Sequence, residues 1–124
     1  MHYVRIFSDD AGESHFEDVT LGEVVVPSEQ GVAELTLTAP VPVDRAIFVS
    51  FPGDEQEPDW HTAPRRQFVV VLDGGLRIEV SDGEIRDLPA GSVVLVEDTT
   101  GRGHVTDYTS GQRRVMLIPL DADQ

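Results

Sequence analysis

Short runs of apolar and β-branched residues recur along the chain, and several of them alternate apolar with polar side chains. Leu76, Ile78 and Val80, for example, alternate with Arg77 and Glu79. A period of two is typical of a β-strand that buries one face. The pattern predicts strands over residues 3–7, 33–38, 46–51, 67–72, 76–80, 92–96, 104–108 and 113–120.

Segments rich in Gly, Pro, Asp and Ser separate these runs, and such residues favour turns. No stretch of a dozen residues keeps its apolar positions at the helical spacing of about 3.6 residues. We therefore predict an all-β protein, built as a sandwich or a small barrel. Because 124 residues suffice for one core and no linker interrupts them, we expect a single domain over residues 1–124.

The composition excludes several classes of function. Cys and Lys are absent and all nine basic residues are Arg, which rules out disulfides, thiolate ligands and Schiff-base chemistry. The net charge of −14 argues against nucleic acid and anionic membranes as partners. No apolar run approaches the roughly 20 residues of a membrane span. The N-terminus also lacks a secretory pattern, so we expect a cytoplasmic protein.

Polar residues surround the run 67–72, which is apolar on both faces and predicts a strand buried on both sides. His61 precedes this strand, Gln67 begins it and Gly74 follows it. Farther along, the segment PAGSVVLVEDTTGRGH ends at His104. This order of residues resembles the cupin family, small β-barrels that include oxygenases, isomerases, epimerases and sugar-binding modules.

The resemblance implies a cupin-type double-stranded β-helix, a small β-barrel or jelly roll, whose metal is usually held by three imidazoles and one carboxylate. This chain matches two of the imidazoles with His61 and His104, but has Ala63 in place of the other His and Gln67 in place of the Glu. The candidate metal ligands are therefore His61, Gln67 and His104, for Fe, Ni, Zn or Mn. A metal-free site, in which His61 hydrogen-bonds Gln67, is an equally supported alternative.

Two classes of function stay open. In the first, the barrel holds a small organic metabolite and acts on it as a dioxygenase or as an isomerase or cyclase. His61 and His104 are then the catalytic residues, since His is the side chain best suited to proton transfer near neutral pH when Cys and Lys are absent. In the second, the missing ligands indicate a non-catalytic small-molecule binding module. We also predict a homodimer, because strands at residues 3–7 and 115–120 would leave unpaired sheet edges.

Four charged neighbours of the site allow more than one interpretation. Arg65 or Arg66 either holds a carboxylate or phosphate of a ligand or pairs with a surface acid. Asp98 either orients His104 or caps backbone amides in its turn, and we prefer the cap. Glu97 is an alternative carboxylate ligand or acid–base group.

Overall fold

The computed structural model describes residues 1–53, 59–107 and 111–120. These residues form eleven β-strands and no helix, which confirms the prediction of an all-β protein. The predicted run 104–108 corresponds to a strand that ends at Asp107, and Tyr108 lies outside the described residues. The strands are β1 (His2–Ser8), β2 (Ser14–Thr20), β3 (Glu23–Val26), β4 (Leu35–Thr38), β5 (Ile47–Phe51), β6 (Gln67–Asp73), β7 (Leu76–Val80), β8 (Ile85–Leu88), β9 (Val93–Val96), β10 (His104–Asp107) and β11 (Arg113–Pro119).

The strands lie in three sheets. The largest has the order β2-β1-β9-β6-β11-β5, the second has the order β10-β7-β8, and β3 pairs with β4 in a separate hairpin. Within the described residues none of the three sheets closes on itself into a barrel. The same residues contain no helix of the length and apolarity that a membrane crossing requires.

The core lies between the six-stranded and the three-stranded sheets. Alternation along β6 and β9 turns Val71 and Val94 inward, where they are 1% and 0% exposed. From the other sheet, Ile78 and Val80 on β7 are 3% and 0% exposed, as the alternation in that run predicts. Buried side chains of both sheets form one cluster, and each of them stabilises the fold by about 1.5–3 kcal/mol relative to an exposed position.

The outer face of the six-stranded sheet is also apolar. A solvated face of an antiparallel sheet normally carries polar side chains, whereas here the ring of Phe68 on β6 packs edge-on against Tyr3 on β1, with centroids 5.5 Å apart. The apolar outer positions of β6, β9 and β11 are Phe68, Val70, Leu72, Val93, Leu95, Met116 and Ile118.

Both strands that were predicted to leave sheet edges unpaired are interior strands. β1 lies between β2 and β9, and β11 lies between β6 and β5. The edge prediction is wrong because β1 pairs with the adjacent β2 on one side and with the distant β9 on the other, and β11 pairs with two strands from earlier in the chain. The edges of this sheet are β2 and β5, so the prediction of a homodimer needs a different physical basis.

Candidate functional site

A cavity of about 150 Å³ lies between the inner faces of the two larger sheets. Apolar side chains from both sheets form most of its wall, among them Val69, Ile78, Val94 and Leu117. Among the described residues, the polar part of the wall consists of His61, Gln67, His104 and Thr106. The structure therefore brings the three predicted site residues together at one cavity.

His104 is held by a buried carboxylate. It is the first residue of β10 and is 6% exposed, and its Nδ1 lies 2.6 Å from Oδ2 of Asp98, which is fully buried. Because a carboxylate accepts hydrogen bonds, Nδ1 carries a proton, so that Nε2 is the nitrogen that has the lone pair in the neutral tautomer. Asp98 thus fixes both the orientation and the tautomer of the His104 imidazole.

Among the described residues the Asp98 side chain contacts His104 through Oδ2 and accepts from no backbone amide, so the preferred interpretation of this residue from the sequence is wrong. Its side chain turns inward because the chain after β9 is tied to the cavity wall. The backbone carbonyl of Asp98 accepts a hydrogen bond of 3.0 Å from the N–H of Ala63, a residue of that wall. This contact places the carboxylate behind His104, where the carboxylate accepts from the imidazole.

His61 lies at the exposed end of the cavity. Its backbone exchanges two hydrogen bonds with the backbone of His104, of 3.0 and 2.9 Å, and so adds a single antiparallel bridge beside β10. The two imidazole rings are tilted against each other with centroids 4.8 Å apart. Nδ1 of His61 lies 3.1 Å from the backbone carbonyl oxygen of Asp59 and donates to it, which leaves Nε2 of this ring available as well.

The close approach of His61 to His104 requires a glycine at position 103. Gly103 has a φ of +74°, and a Cβ built on it would lie 2.1 Å from the backbone carbonyl oxygen of His61. A side chain at this position would push the segment around His61 away from β10. The glycine therefore permits the bridge that sets the two imidazoles side by side.

Gln67 contributes an amide to the cavity. It is the first residue of β6 and is 5% exposed. Its Oε1 accepts a hydrogen bond of 3.3 Å from Nη1 of Arg65, so its partner is Arg65 and not His61. The neighbouring wall position is Ala63, which is 3% exposed and has no donor atom in its side chain.

The donor atoms around the cavity differ from those of the usual cupin metal site. Two imidazoles and one amide are present where three imidazoles and one carboxylate are expected. In the part of the chain that the structure describes, no group of three or more His, Asp or Glu side chains is placed to hold a metal ion.

Glu97 lies outside the cavity and is engaged by two arginines. It accepts hydrogen bonds from Nε of Arg5 and from Nε of Arg66. Burial opposes its ionisation, but the hydrogen bonds from Arg5 and Arg66 hold the pKa of the Glu97 carboxyl below its ordinary value. This carboxylate links β1 to the chain segments that flank the cavity, and the contacts of Glu97 and Arg66 are those of a structural ion pair.

His15, on β2, forms a separate charged cluster. Its Nε2 lies 2.8 Å from Oδ2 of Asp9, and its Nδ1 lies 2.8 Å from Oδ2 of Asp82. The hydrogen bonds to Asp9 and Asp82 raise the pKa of His15 above its ordinary value. Because these carboxylates belong to the turn after β1 and the turn after β7, the imidazole joins two loops.

Thr106 is a wall residue that was not predicted from the sequence to belong to the site. It lies two residues after His104 on the same face of β10 and is 4% exposed. The period of two along a strand would have identified it once His104 was taken to point inward.

No family model matches the chain, and no curated protein is significantly similar to it. Its function must therefore be inferred from the cavity and from the residues that line it.

Proposed function

We propose that this chain has a cupin-type double-stranded β-helix, and four strand pairings support the proposal. A jelly roll is a long antiparallel ribbon rolled up, in which the first strand pairs with the eighth, the second with the seventh, the third with the sixth and the fourth with the fifth. With β5 taken as the first strand and the bridge at His61 as the second, the four pairs are β5–β11, His61–β10, β6–β9 and β7–β8. The pairings β6–β11 and β7–β10 then join the rolled ribbon into two facing sheets.

We infer that the protein is a small-molecule enzyme, an isomerase or cyclase that moves a proton within a substrate held in the cavity. The observation that carries this proposal is the 2.6 Å hydrogen bond between buried Asp98 and His104 at the cavity wall. An imidazole whose Nδ1–H is held by a carboxylate presents the lone pair of Nε2 in a fixed direction, as a general base requires.

The other wall residues have roles that follow from their positions. His61, with its ring 4.8 Å from that of His104 and its side chain exposed, returns the proton or exchanges it with solvent. The amide N–H of Gln67 donates to a carbonyl or hydroxyl oxygen of the substrate, since its Oε1 already accepts from Arg65. The apolar wall excludes water and so strengthens these polar interactions.

The size of the cavity limits the reacting part of the substrate. The cavity has a volume of about 150 Å³. An apolar cavity of this size holds a molecule as large as benzene. The group that reacts is therefore a small carbonyl or hydroxy compound, or the corresponding end of a larger molecule that extends past His61.

A divalent metal, Fe, Ni, Zn or Mn, is the basis of a second candidate function, a dioxygenase. Both Nδ1 atoms are engaged by Asp98 and by the carbonyl of Asp59, so that both Nε2 atoms are left as donors beside the Gln67 amide. A metal would supply Lewis-acid or redox chemistry at this position. Because Ala63 and Gln67 replace an imidazole and a carboxylate of the usual donor set, the residues present would hold such an ion more weakly than that set does. In the remaining alternative, the cavity binds a small molecule without converting it.

An exchange assay in D₂O tests the proposal. The protein is incubated with a panel of small carbonyl and hydroxy metabolites, and ¹H NMR follows loss of signal at the acidic C–H positions. We expect exchange on at least one member, with a rate that falls by about 10²-fold or more in His104→Ala and by less in Gln67→Ala. Asp98→Asn should also slow the exchange, because it removes the charge that supports a protonated imidazole. The control is His2→Ala, which changes a histidine that does not line this cavity.

Each alternative gives a different result in the same panel. Oxygen consumption that requires added metal would favour the dioxygenase, and binding without exchange would favour the binding module. If His104→Ala keeps the wild-type exchange rate and an unchanged thermal melt, the catalytic base lies elsewhere and the proposal fails.

A further inference from the structure

The hairpin formed by β3 and β4 is exposed on both of its faces, and one of these faces is apolar. Val24 pairs with Leu37 and Val26 pairs with Leu35, so these four side chains share one face of the hairpin. Their exposed fractions are 62%, 48%, 36% and 43%, and Val25 on the opposite face is 57% exposed. The hairpin therefore presents a nearly continuous hydrophobic surface to its surroundings.

A hairpin of this kind is not expected to be stable while it is surrounded by water. Two strands alone are marginal in water and need a third strand or a packed face for independent stability. Among the described strands, β3 and β4 make an extensive contact only with each other. Among the described strands, the apolar face of the hairpin therefore lacks the extensive packing partner that such a hairpin needs.

A groove beside the hairpin offers a complementary surface. It has a volume of about 250 Å³ and runs between the segment after β4 and the apolar outer face of the six-stranded sheet. Its floor includes Phe68, Val70 and Ile118 and its rim includes Val41 and Val43. None of the described residues that line it is Asp or Glu, although the chain has 23 acidic residues. Two copies of this acidic protein would thus meet here at a surface whose described lining carries no carboxylate.

We propose that the occupant of this surface is a second copy of the chain, with the β3–β4 hairpin of each protomer packed on the outer sheet face of the other. Each copy carries both a protruding apolar hairpin and an apolar groove, which is the self-complementarity that a two-fold dimer requires. The apolar face of the hairpin, the segment after it and the outer face of β5 expose seven large apolar side chains, a combined area on the order of 600 Å², which is the lower end of one partner's share of a stable interface. They are Val24, Val26, Leu35, Leu37, Val41, Val43 and Phe48.

Light scattering on the full chain at micromolar concentration is the first test. Wild-type protein is expected at twice the 13.6 kDa mass of the monomer. The double variant Val24→Glu/Leu37→Glu changes a cross-strand pair and is expected at the monomer mass. Because a two-fold interface carries each change twice, the dissociation constant should rise by about 100-fold or more. The control is Ile85→Glu, which places one carboxylate at a 54% exposed apolar position on β8 in the other large sheet and should leave the dimer intact.

A second variant separates loss of the interface from unfolding of the hairpin. Phe48→Glu changes the sheet side of the surface, where Phe48 on β5 is 73% exposed, and leaves the hairpin untouched. It should give a monomer with the far-UV circular dichroism of the wild type. In the wild type, hydrogen exchange at the amides of residues 23–38 should become faster on dilution.

Three outcomes would overturn the proposal. The first is a wild-type protein that is monomeric at micromolar concentration. If that monomer also sediments with phosphatidylcholine vesicles, the apolar surface binds lipid and not a second copy. The second is a dimer that survives both the hairpin variant and Phe48→Glu, because its interface must then lie elsewhere. The third is hydrogen exchange at the amides of residues 23–38 whose rate does not depend on the protein concentration.

Discussion

The contact between His61 and His104 can be tested by the single substitution Gly103→Ala. Gly103 has a φ of +74°, where a Cβ costs about 1–2 kcal/mol. The added Cβ would also lie 2.1 Å from the backbone oxygen of His61 and 2.4 Å from its carbonyl carbon, although ordinary contacts begin near 3.4 Å. The segment at His61 must therefore move by more than about an ångström, a steric requirement set by close packing.

This movement breaks the two backbone hydrogen bonds that join His61 and His104. Each has a net worth of about 0.5–1.5 kcal/mol, so the bridge adds about 1–3 kcal/mol to the conformational cost. Gly83→Ala is a matched control because Gly83 has a φ of +100° and nothing lies within 4 Å of the position that its Cβ would take. We expect Gly83→Ala to cost about 1–2 kcal/mol and Gly103→Ala to cost roughly twice as much.

Urea and thermal unfolding, followed by far-UV circular dichroism, measure these two losses. For a domain of this size, 1 kcal/mol corresponds to about 3–6 °C in Tm. The chain has a single tryptophan, Trp60, directly before His61, and its fluorescence reports the position of that segment. Emission should shift in Gly103→Ala and stay unchanged in Gly83→Ala. Equal losses of stability in the two variants, with unchanged Trp60 emission, would refute the close approach at Gly103.

Three further predictions concern His15, Glu97, and the pair Ala63 and Gln67. His15→Gln should destabilise the protein at about pH 5–6 but not at high pH. Because folding raises the pKa of His15, its protonated ring contributes to the free energy of unfolding in full below the ordinary pKa of His. This contribution is lost as the pH rises through the raised pKa. Urea midpoints of wild type and variant, compared between pH 5 and about 9, measure the loss. Glu97→Gln should cost about 1 kcal/mol at neutral pH, and the difference from wild type should close in acid titrations as pH falls through the lowered pKa of Glu97. Ala63→His/Gln67→Glu should bind cobalt(II) more tightly than wild type in visible absorption titrations, and equal affinity would count against the cupin assignment.

The sequence predicted most strands because most of them bury one face. Leu76, Ile78 and Val80 alternate with polar residues, and the alternation marks β7 without reference to the rest of the chain. The predicted runs leave out β2, β3 and β8. In β3, Val24, Val25 and Val26 follow one another without alternation, and both faces of that strand are exposed. Local pattern detects a strand through its buried face and fails where neither face is buried by the same chain.

The sequence could not predict which strands pair when they lie far apart in the chain. The parallel pairing of β1 with β9 joins residues 4–6 to residues 94–96, and no local pattern specifies it. The role of Asp98 was misjudged for a related reason. Its direction depends on the backbone contact with Ala63 across the cavity, and from the sequence alone a turn Asp is more often a cap.

The contacts around His104 bear on whether the proposed chemistry needs a metal to assemble its site. In a metal centre the ion holds imidazoles together against the conformational entropy of their side chains and the repulsion of their dipoles. Here protein contacts fix the same groups, because the backbone bridge sets His61 beside His104 and the buried carboxylate of Asp98 sets the ring of His104. The positioning that a metal would provide is thus supplied by Gly103, which admits the bridge, and by Asp98. A proton-transfer site built in this way is organised before any ligand arrives, and pre-organisation of this kind lowers the barrier for a general base.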